Sequence, residues 1–304
     1  MQKRKTTPFS LLSILMTAGL AMAQGGGQRA GFFSVWTMPK MWIGALIAVT
    51  GIVLLARRKV TPRVRLFFLI LAFFLFGVVS ALPLGSFATG MGLHPSPMCV
   101  VEKPFLFLNA GRSIPIVFFS IFLFVAILTI LGNKSFCGWV CPIGAIQEIV
   151  HNLPFVKKGR IGFRLSNATR VLVFVVFLVL LFTLDFTLYG YTNPFNMLHW
   201  QFSLVVLVPF AVVIILSLFF YRPFCYLFCP LGLVTWIVEH LSIVRVTLNR
   251  QACTDCKLCL KKSPCPAVQA ILKEKISRPD CHACGICLES CPEDALAFKV
   301  RWLK

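Results

Sequence analysis

The chain has 304 residues, of which 58% are hydrophobic and only 13% charged, with a formal net charge of +20. A mean hydropathy of +0.84 belongs to a membrane protein rather than to a water-soluble one. The positive charge does not mark a nucleic-acid partner. Lysines and arginines come in bursts between apolar runs, and there is no solvated basic domain with interleaved aromatics.

In chain order, Lys3-Arg4-Lys5 precede an apolar run, Phe9–Ala23, that closes on Ala21-Met22-Ala23. A basic start, an apolar middle and small closing residues read as a secretory signal peptide or an uncleaved signal anchor over residues 1–23. Either one leaves the residues after Gly25 outside. Runs suited to crossing a bilayer follow at Met41–Ala56, Leu66–Leu82, Ile114–Leu131, Val171–Tyr189 and Ser203–Tyr221. Arg57, Arg58, Lys59, Arg63 and Arg65 lie between the first two runs, and Lys134, Lys157, Lys158, Arg160, Arg164 and Arg170 between the third and fourth. The opposite loops hold only Lys103 and Arg112, or no basic residue. The positive-inside rule makes residues 24–244 a multi-pass domain of the inner (cytoplasmic) membrane, with residues 245–304 in the cytoplasm.

All but one of the 13 cysteines fall on that cytoplasmic side, where thiols stay reduced, so a disulfide scaffold is not expected. Cys99 is the exception, in the outer segment His94-Pro-Ser-Pro-Met-Cys99. Two readings are open for it: a soft-metal or partner-linking thiol, or an ordinary buried one. Asp185, toward the outer end of the fourth run, is a proton-relay candidate because an acid there is costly unless used or paired. No run carries a histidine at its middle, so the paired axial ligands of a haem are not predicted.

The third and fifth runs end alike. One continues into Phe136-Cys137-Gly-Trp-Val-Cys141-Pro142-Ile143-Gly144, the other into Phe224-Cys225-Tyr-Leu-Phe-Cys229-Pro230-Leu231-Gly232. Both run outward to inward, which makes them parallel repeats about a pseudo-twofold axis along the membrane normal. Each proline is suited to open a helix, and the stretch after it reads as an interfacial helix under the span. Cys137, Cys141, Cys225 and Cys229 are candidates for one four-thiolate site, open to a further iron–sulfur cluster, to copper, or to dithiol chemistry. His151 and His240 close the two repeats and are candidates for touching a quinone head group or a metal, or for interfacial anchoring.

Near the end, Cys253, Cys256 and Cys259 precede Cys265-Pro266, and Cys281, Cys284 and Cys287 precede Cys291-Pro292. A C-x2-C-x2-C run delivers three thiolates to a cubane cluster, and the fourth comes from the Cys-Pro of the other half. The expected sets are Cys253, Cys256, Cys259 with Cys291, and Cys281, Cys284, Cys287 with Cys265. Structural zinc sites pair two short motifs per metal and do not need three consecutive cysteines. The fold class expected is therefore an α-helical membrane bundle of about five mature transmembrane helices with an internal repeat, followed by a small α+β bacterial-type 2[4Fe–4S] ferredoxin domain.

From about Ile114 to the end, the two C-x3-C-P motifs and the eight C-terminal cysteines resemble the NapH/NosR-type family of membrane ferredoxins. The outer segments are far too short for the flavin domain of NosR-like members, so the minimal NapH-like form is the nearer likeness. The long loop between Cys259 and Cys265 and the Cys99 segment depart from the pattern. The resemblance implies two [4Fe–4S] clusters and electron transfer between the quinol pool, as a substrate, and redox partner subunits of a respiratory or maturation system. Two other functions remain open: a copper-reducing or metal-delivery assembly factor working through the C-x3-C-P cysteines, and an anchor that docks a soluble dehydrogenase.

Overall fold

The structure is a computed structural model that describes residues 31–83, 85–92, 96–154, 159–200, 202–274 and 280–300. The expected signal segment 1–23, together with His94, Lys157 and Lys158, lies outside the described residues. The chain is mostly helical. Helix α1 (Pro39–Ala56) and α2 (Pro62–Phe73) both open on proline, whose fixed φ suits the first helical turn. The Thr61 hydroxyl caps α2 by accepting from the Val64 N–H at 3.3 Å. A π-helical turn, Phe74–Val78, extends α2. The segments expected to lie outside fold as α3 (Gly85–Met91) and α4 (Cys99–Asn109). Then come α5 (Ile116–Gly132), a π-helical turn (Phe136–Val140) and α6 (Pro142–His151). Beyond these lie α7 (Phe163–Leu184), α8 (Leu188–Thr192), α9 (Leu204–Phe219), α10 (Pro223–Leu227) and α11 (Pro230–Val238).

Each expected membrane run maps onto one of these helices, but their lengths differ from a five-span bundle. Among the described residues two helices, α1 and α7, are long and apolar enough to cross a membrane, while α5 and α9 are apolar but shorter. The helical rise of 1.5 Å per residue makes α9 about 24 Å long, short of the roughly 30 Å hydrocarbon core. The outward faces of these helices are nonetheless apolar: Trp42 is 66% exposed, Leu172 61% and Leu204 77%. Apolar outward faces of that kind suit a membrane location. Several charged residues are inside instead, Glu148 and Arg222 at 0% exposure.

An offset of 88 residues relates the two repeats, taking Cys137 to Cys225. The backbone obeys it closely, with φ, ψ of −67°, 116° at Cys141 and −68°, 117° at Cys229. Thr129 donates to Val125 O at 2.8 Å, and Ser217, its counterpart, to Val213 O at 2.6 Å. Glycine closes each motif for a steric reason. A Cβ at Gly144 would stand 2.7 Å from Cys137 O, and one at Gly232 2.8 Å from Cys225 O. The same offset carries His151 onto Glu239, so the two histidines are not structural equivalents. Helix α6 packs into the protein interior: Ile143, Ala145, Gln147, Glu148 and His151 on it are all buried.

The C-terminal segment pairs β1 (Val244–Leu248) with β2 (Leu296–Val300), antiparallel, Val244 opposite Val300. Between them lie α12 (Leu258–Lys262), α13 (Ala267–Leu272) and α14 (Ile286–Glu289). The two cysteine loops share their bends, with positive φ at Asp255 and Lys257 and again at Ala283 and Gly285. Glycine stands in the second loop because that loop is covered. A Cβ at Gly285 would meet Leu55 at 2.8 Å.

Three contacts hold this second loop on the first repeat. The Lys134 N–H donates to Cys281 O at 3.2 Å, Trp139 Nε1 donates to Ala283 O at 2.9 Å, and Gly138 lies flat against the His282 carbonyl. A Cβ at position 138 would sit 2.0 Å from that oxygen. Replacing Gly138 by alanine is therefore expected to push the loop off the repeat. Faster proteolysis between residues 245 and 304 would report it, and protection equal to the parent chain would show that the contact does not hold the loop.

Candidate metal centres

The two expected cysteine sets each surround one cavity. Cys265, Cys281, Cys284 and Cys287 line a small cavity whose wall also includes Leu55 and Tyr221 from the helical domain. Cys253, Cys256, Cys259 and Cys291 line a second, walled by the C-terminal segment alone. The first is proximal and deep, with Cys265, Cys284 and Cys287 buried; the second is distal, with Cys256 exposed. All thirteen cysteines are free thiols.

The donor chemistry fits a cubane cluster better than a single ion. Four thiolates round one zinc bring their sulfurs to about 3.8 Å, from a Zn–S bond of about 2.3 Å. Among the described residues, no three His, Cys, Asp or Glu side chains converge on one ion in that way. Thiols that ring a cavity instead suit a group with one iron per thiolate.

The four C-x3-C-P cysteines also come together. Each lies within Coulombic reach of the other three. Burial pushes the Cys137 thiol up to about 11, with Lys134 and Arg222 pulling the other way.

Between this group and the proximal set lies a buried ion layer. Burial alone would raise the Glu148 carboxyl, but Arg65 and Arg222 overcome it and hold the group down to about 2. Arg65 Nε donates to Glu148 Oε1 at 2.8 Å, Arg222 Nη2 to Oε2 at 2.6 Å, and the Tyr221 hydroxyl to Oε2 at 2.7 Å. The two guanidiniums continue to Gly138 O and Cys137 O. On the other side Asp280 pairs with Lys134 and with Arg170, the latter at 2.7 Å. Lys134 also donates to Gly232 O at 2.6 Å and Arg170 at 3.0 Å. Each repeat thus clamps the other's turn. Glu239 accepts from the Cys281 N–H at 3.3 Å, and burial raises its carboxyl to about 8.

The remaining candidates lie elsewhere. His151 is buried, its Nδ1 3.2 Å from Ser217 O. His240 Nδ1 stands 2.9 Å from Trp236 O. Cys99 is buried at the start of α4, 3.1 Å from the Ser96 hydroxyl. Asp185 caps the end of α7 in a left-handed conformation and accepts from Asn109 Nδ2 at 2.8 Å. The sequence reading missed the ion layer. Its signal was present in Lys134 and Arg222, each three residues before the first cysteine of its repeat.

A family model described as a 4Fe-4S binding domain matches residues 114–161 and 202–246, the two C-x3-C-P repeats. An uncharacterized protein of Methanocaldococcus jannaschii is 30% identical over 195 residues, covering 59% of this chain and 78% of the relative. The methylamine utilization ferredoxin-type protein MauN of Methylorubrum extorquens is 28% identical over 46% of this chain and 50% of its own. The ferredoxin-type protein NapH of Haemophilus influenzae is 24% identical over 48% and 52%. The chain thus spans about half the length of these two named relatives. No solved structure matches.

Thiol-lined cavities at ferredoxin spacing, set against an apolar-faced helical domain, define an iron–sulfur electron-transport protein. The chain belongs to the NapH/NosR-type ferredoxin family.

Proposed function

We propose that this chain is an integral-membrane electron carrier that passes electrons between the quinol pool and a respiratory reductase or its maturation partner. In this reading residues 24–244 span the inner membrane about five times and present the C-terminal segment to the cytoplasm. Cys253, Cys256, Cys259 and Cys291 hold one [4Fe–4S] cluster, and Cys265, Cys281, Cys284 and Cys287 hold the other. When bound, each group supplies one-electron storage at a potential set by burial and hydrogen bonding.

The observation that carries the reading is the unequal depth of the two thiol sets. One is walled by Leu55 and Tyr221 of the helical domain, and the other opens at the exposed Cys256. The chain's own residues do the placing. Gly138, Lys134 and Trp139 hold the inner loop on the repeat, while Arg58 ties β2 down through Asp294 and the Leu296 carbonyl. The exposed distal edge is the side from which a soluble partner reaches the chain.

The test is reduction of the detergent-purified protein by a short-chain quinol, followed as bleaching of visible cluster absorption. Bleaching is expected. Protein that carries clusters but bleaches with neither a quinol nor a quinone couple in either direction would overturn the quinol role. Reduction of cupric ion, lost when Cys137 and Cys225 are both serine, would put a metal-handling function in its place.

A further inference from the structure

The two halves of the C-terminal segment are related by an offset of 28 residues, which carries Cys253, Cys256 and Cys259 onto Cys281, Cys284 and Cys287. The same offset sets Lys257 opposite Gly285, Leu258 opposite Ile286, Lys261 opposite Glu289 and Lys262 opposite Ser290. The half that lies against the helical domain has no cation at these positions, and the half that faces away has three. Lys257 even holds the left-handed turn that favours glycine, at φ 59° where Gly285 has 85°. The positive-inside bias does not produce this contrast. It concerns loops beside membrane spans, and both halves belong to one short segment.

Helix α12 builds these residues into one face. It buries Cys259 in the wall of the distal cavity and leaves Lys257, Leu258, Lys261 and Lys262 exposed, beside the exposed Cys256. Cys256 and Lys257 both stand on the cavity wall. Leu258 is 38% exposed, an apolar centre rimmed by charge, which is the anatomy of a protein contact. Among the described residues none of the three lysines pairs with a carboxylate. Asp255, in the same loop, is engaged by Arg250 at 3.1 Å, and the cavity wall adds one further acid, Glu293. Arg160 brings a fourth cation to the helix, donating to the Lys261 carbonyl at 2.5 Å.

Resting on the reading of the chain as a cluster-bearing electron carrier, we infer that this face docks the soluble partner, an acidic redox protein whose carboxylates surround a one-electron cofactor. Carboxylates complement the unpaired lysines, and attraction between opposite charges speeds the brief encounters through which proteins exchange electrons. Such encounters bury little area, so one apolar residue with four cations about it suffices. A second copy of this chain does not fit, because a twofold contact would set lysines against lysines. Docking here brings the partner's cofactor to the thiolate set with the exposed ligand. One electron leaves the reduced distal cluster and reduces the partner's acceptor, with no bond made or broken and no proton moved.

Two forms of one acceptor test the charge requirement: native cytochrome c, whose surface is basic, and succinylated cytochrome c, whose lysines have become carboxylates. Each takes one electron at the same haem. Detergent-purified protein is reduced anaerobically, and its reoxidation by each cytochrome is followed by stopped flow. At low salt the succinylated form is expected to react about tenfold faster. The preference should vanish at about 1 M salt, where the Debye length is about 3 Å. Changing Lys257, Lys261 and Lys262 together to glutamate should reverse the preference, with iron staying at about eight per chain from two four-iron groups. Should that variant lose iron, Lys261→Glu with Lys262→Glu leaves the cavity wall intact and should abolish the preference. Equal rates for the two cytochromes in the parent, or a preference that survives charge reversal, would overturn the docking face and leave the electron-carrier reading standing. Reduced clusters that pass electrons to neither cytochrome would defeat that reading, and the docking face with it. In nanodiscs, a preference seen with neutral phosphatidylcholine but abolished by anionic phosphatidylglycerol would assign the lysines to lipid and overturn the proposal.

Discussion

Replacing Cys284 by alanine is expected to remove one cluster and to unfold the C-terminal segment from β1 to β2. Cys284 is buried in the proximal cavity, where a missing ligand has no solvent thiol to replace it. The segment of about 60 residues is too small to bury a large apolar core, so its folding free energy comes substantially from ligand binding. Iron should fall by about four per chain, and the amides of β1 and β2 should exchange rapidly. Lys134 and Trp139 do not themselves line the cavity, so the helical domain should keep its fold. A normal iron count in this variant would remove Cys284 from the ligand set. The matching change at Cys256 should cost its cluster with less unfolding, because that residue sits at the exposed edge of the distal cavity.

Glu148→Gln should be the most destabilising change among the uncoordinated residues. It leaves Arg65 and Arg222 buried at 4% and 0% exposure with no anion between them. Losing one partner of a buried ion pair costs about 3–5 kcal/mol. The pH dependence follows from the carboxyl, which lies near 2 in the fold and about 4.3 in an unfolded chain. A depressed folded value means that its stabilisation is fully present above the unfolded value. It is lost as pH falls from about 4 toward 2. Thermal melting in detergent should therefore separate parent and variant widely at pH 7, with the gap closing below pH 4. Equal melting at pH 7 would show that the layer contributes no net stability.

The cysteine sets were legible because spacing along a loop limits which thiols can face one cavity. The pairing of Cys265 with the second triplet and of Cys291 with the first could be written down from the two Cys-Pro positions, and the structure gathers those same residues round its cavities. The repeat was legible for a similar reason, since a shared local turn leaves a shared local motif, down to the glycine that must lie on the first cysteine's carbonyl. Helix ends were less so. Leu66–Leu82 reads as one apolar run, but the chain starts its helix at Pro62 and distorts it at Phe74–Val78, because capping and packing set boundaries that hydropathy does not register.

What the sequence determined by itself is chemistry with a local cause: apolar runs, basic bursts, the twin C-x3-C-P turns and two cysteine triplets with their Cys-Pro partners. What only the tertiary structure decided is everything that depends on residues far apart meeting in a low-dielectric interior. Arg65 reaches Glu148 across 83 positions and Lys134 reaches Asp280 across 146. No spacing rule foretells such pairs, because a buried charge accepts whichever opposite partner the packed helices bring to it. The same packing buried α6. It also set one cysteine cavity against the helical domain and left the other at the surface.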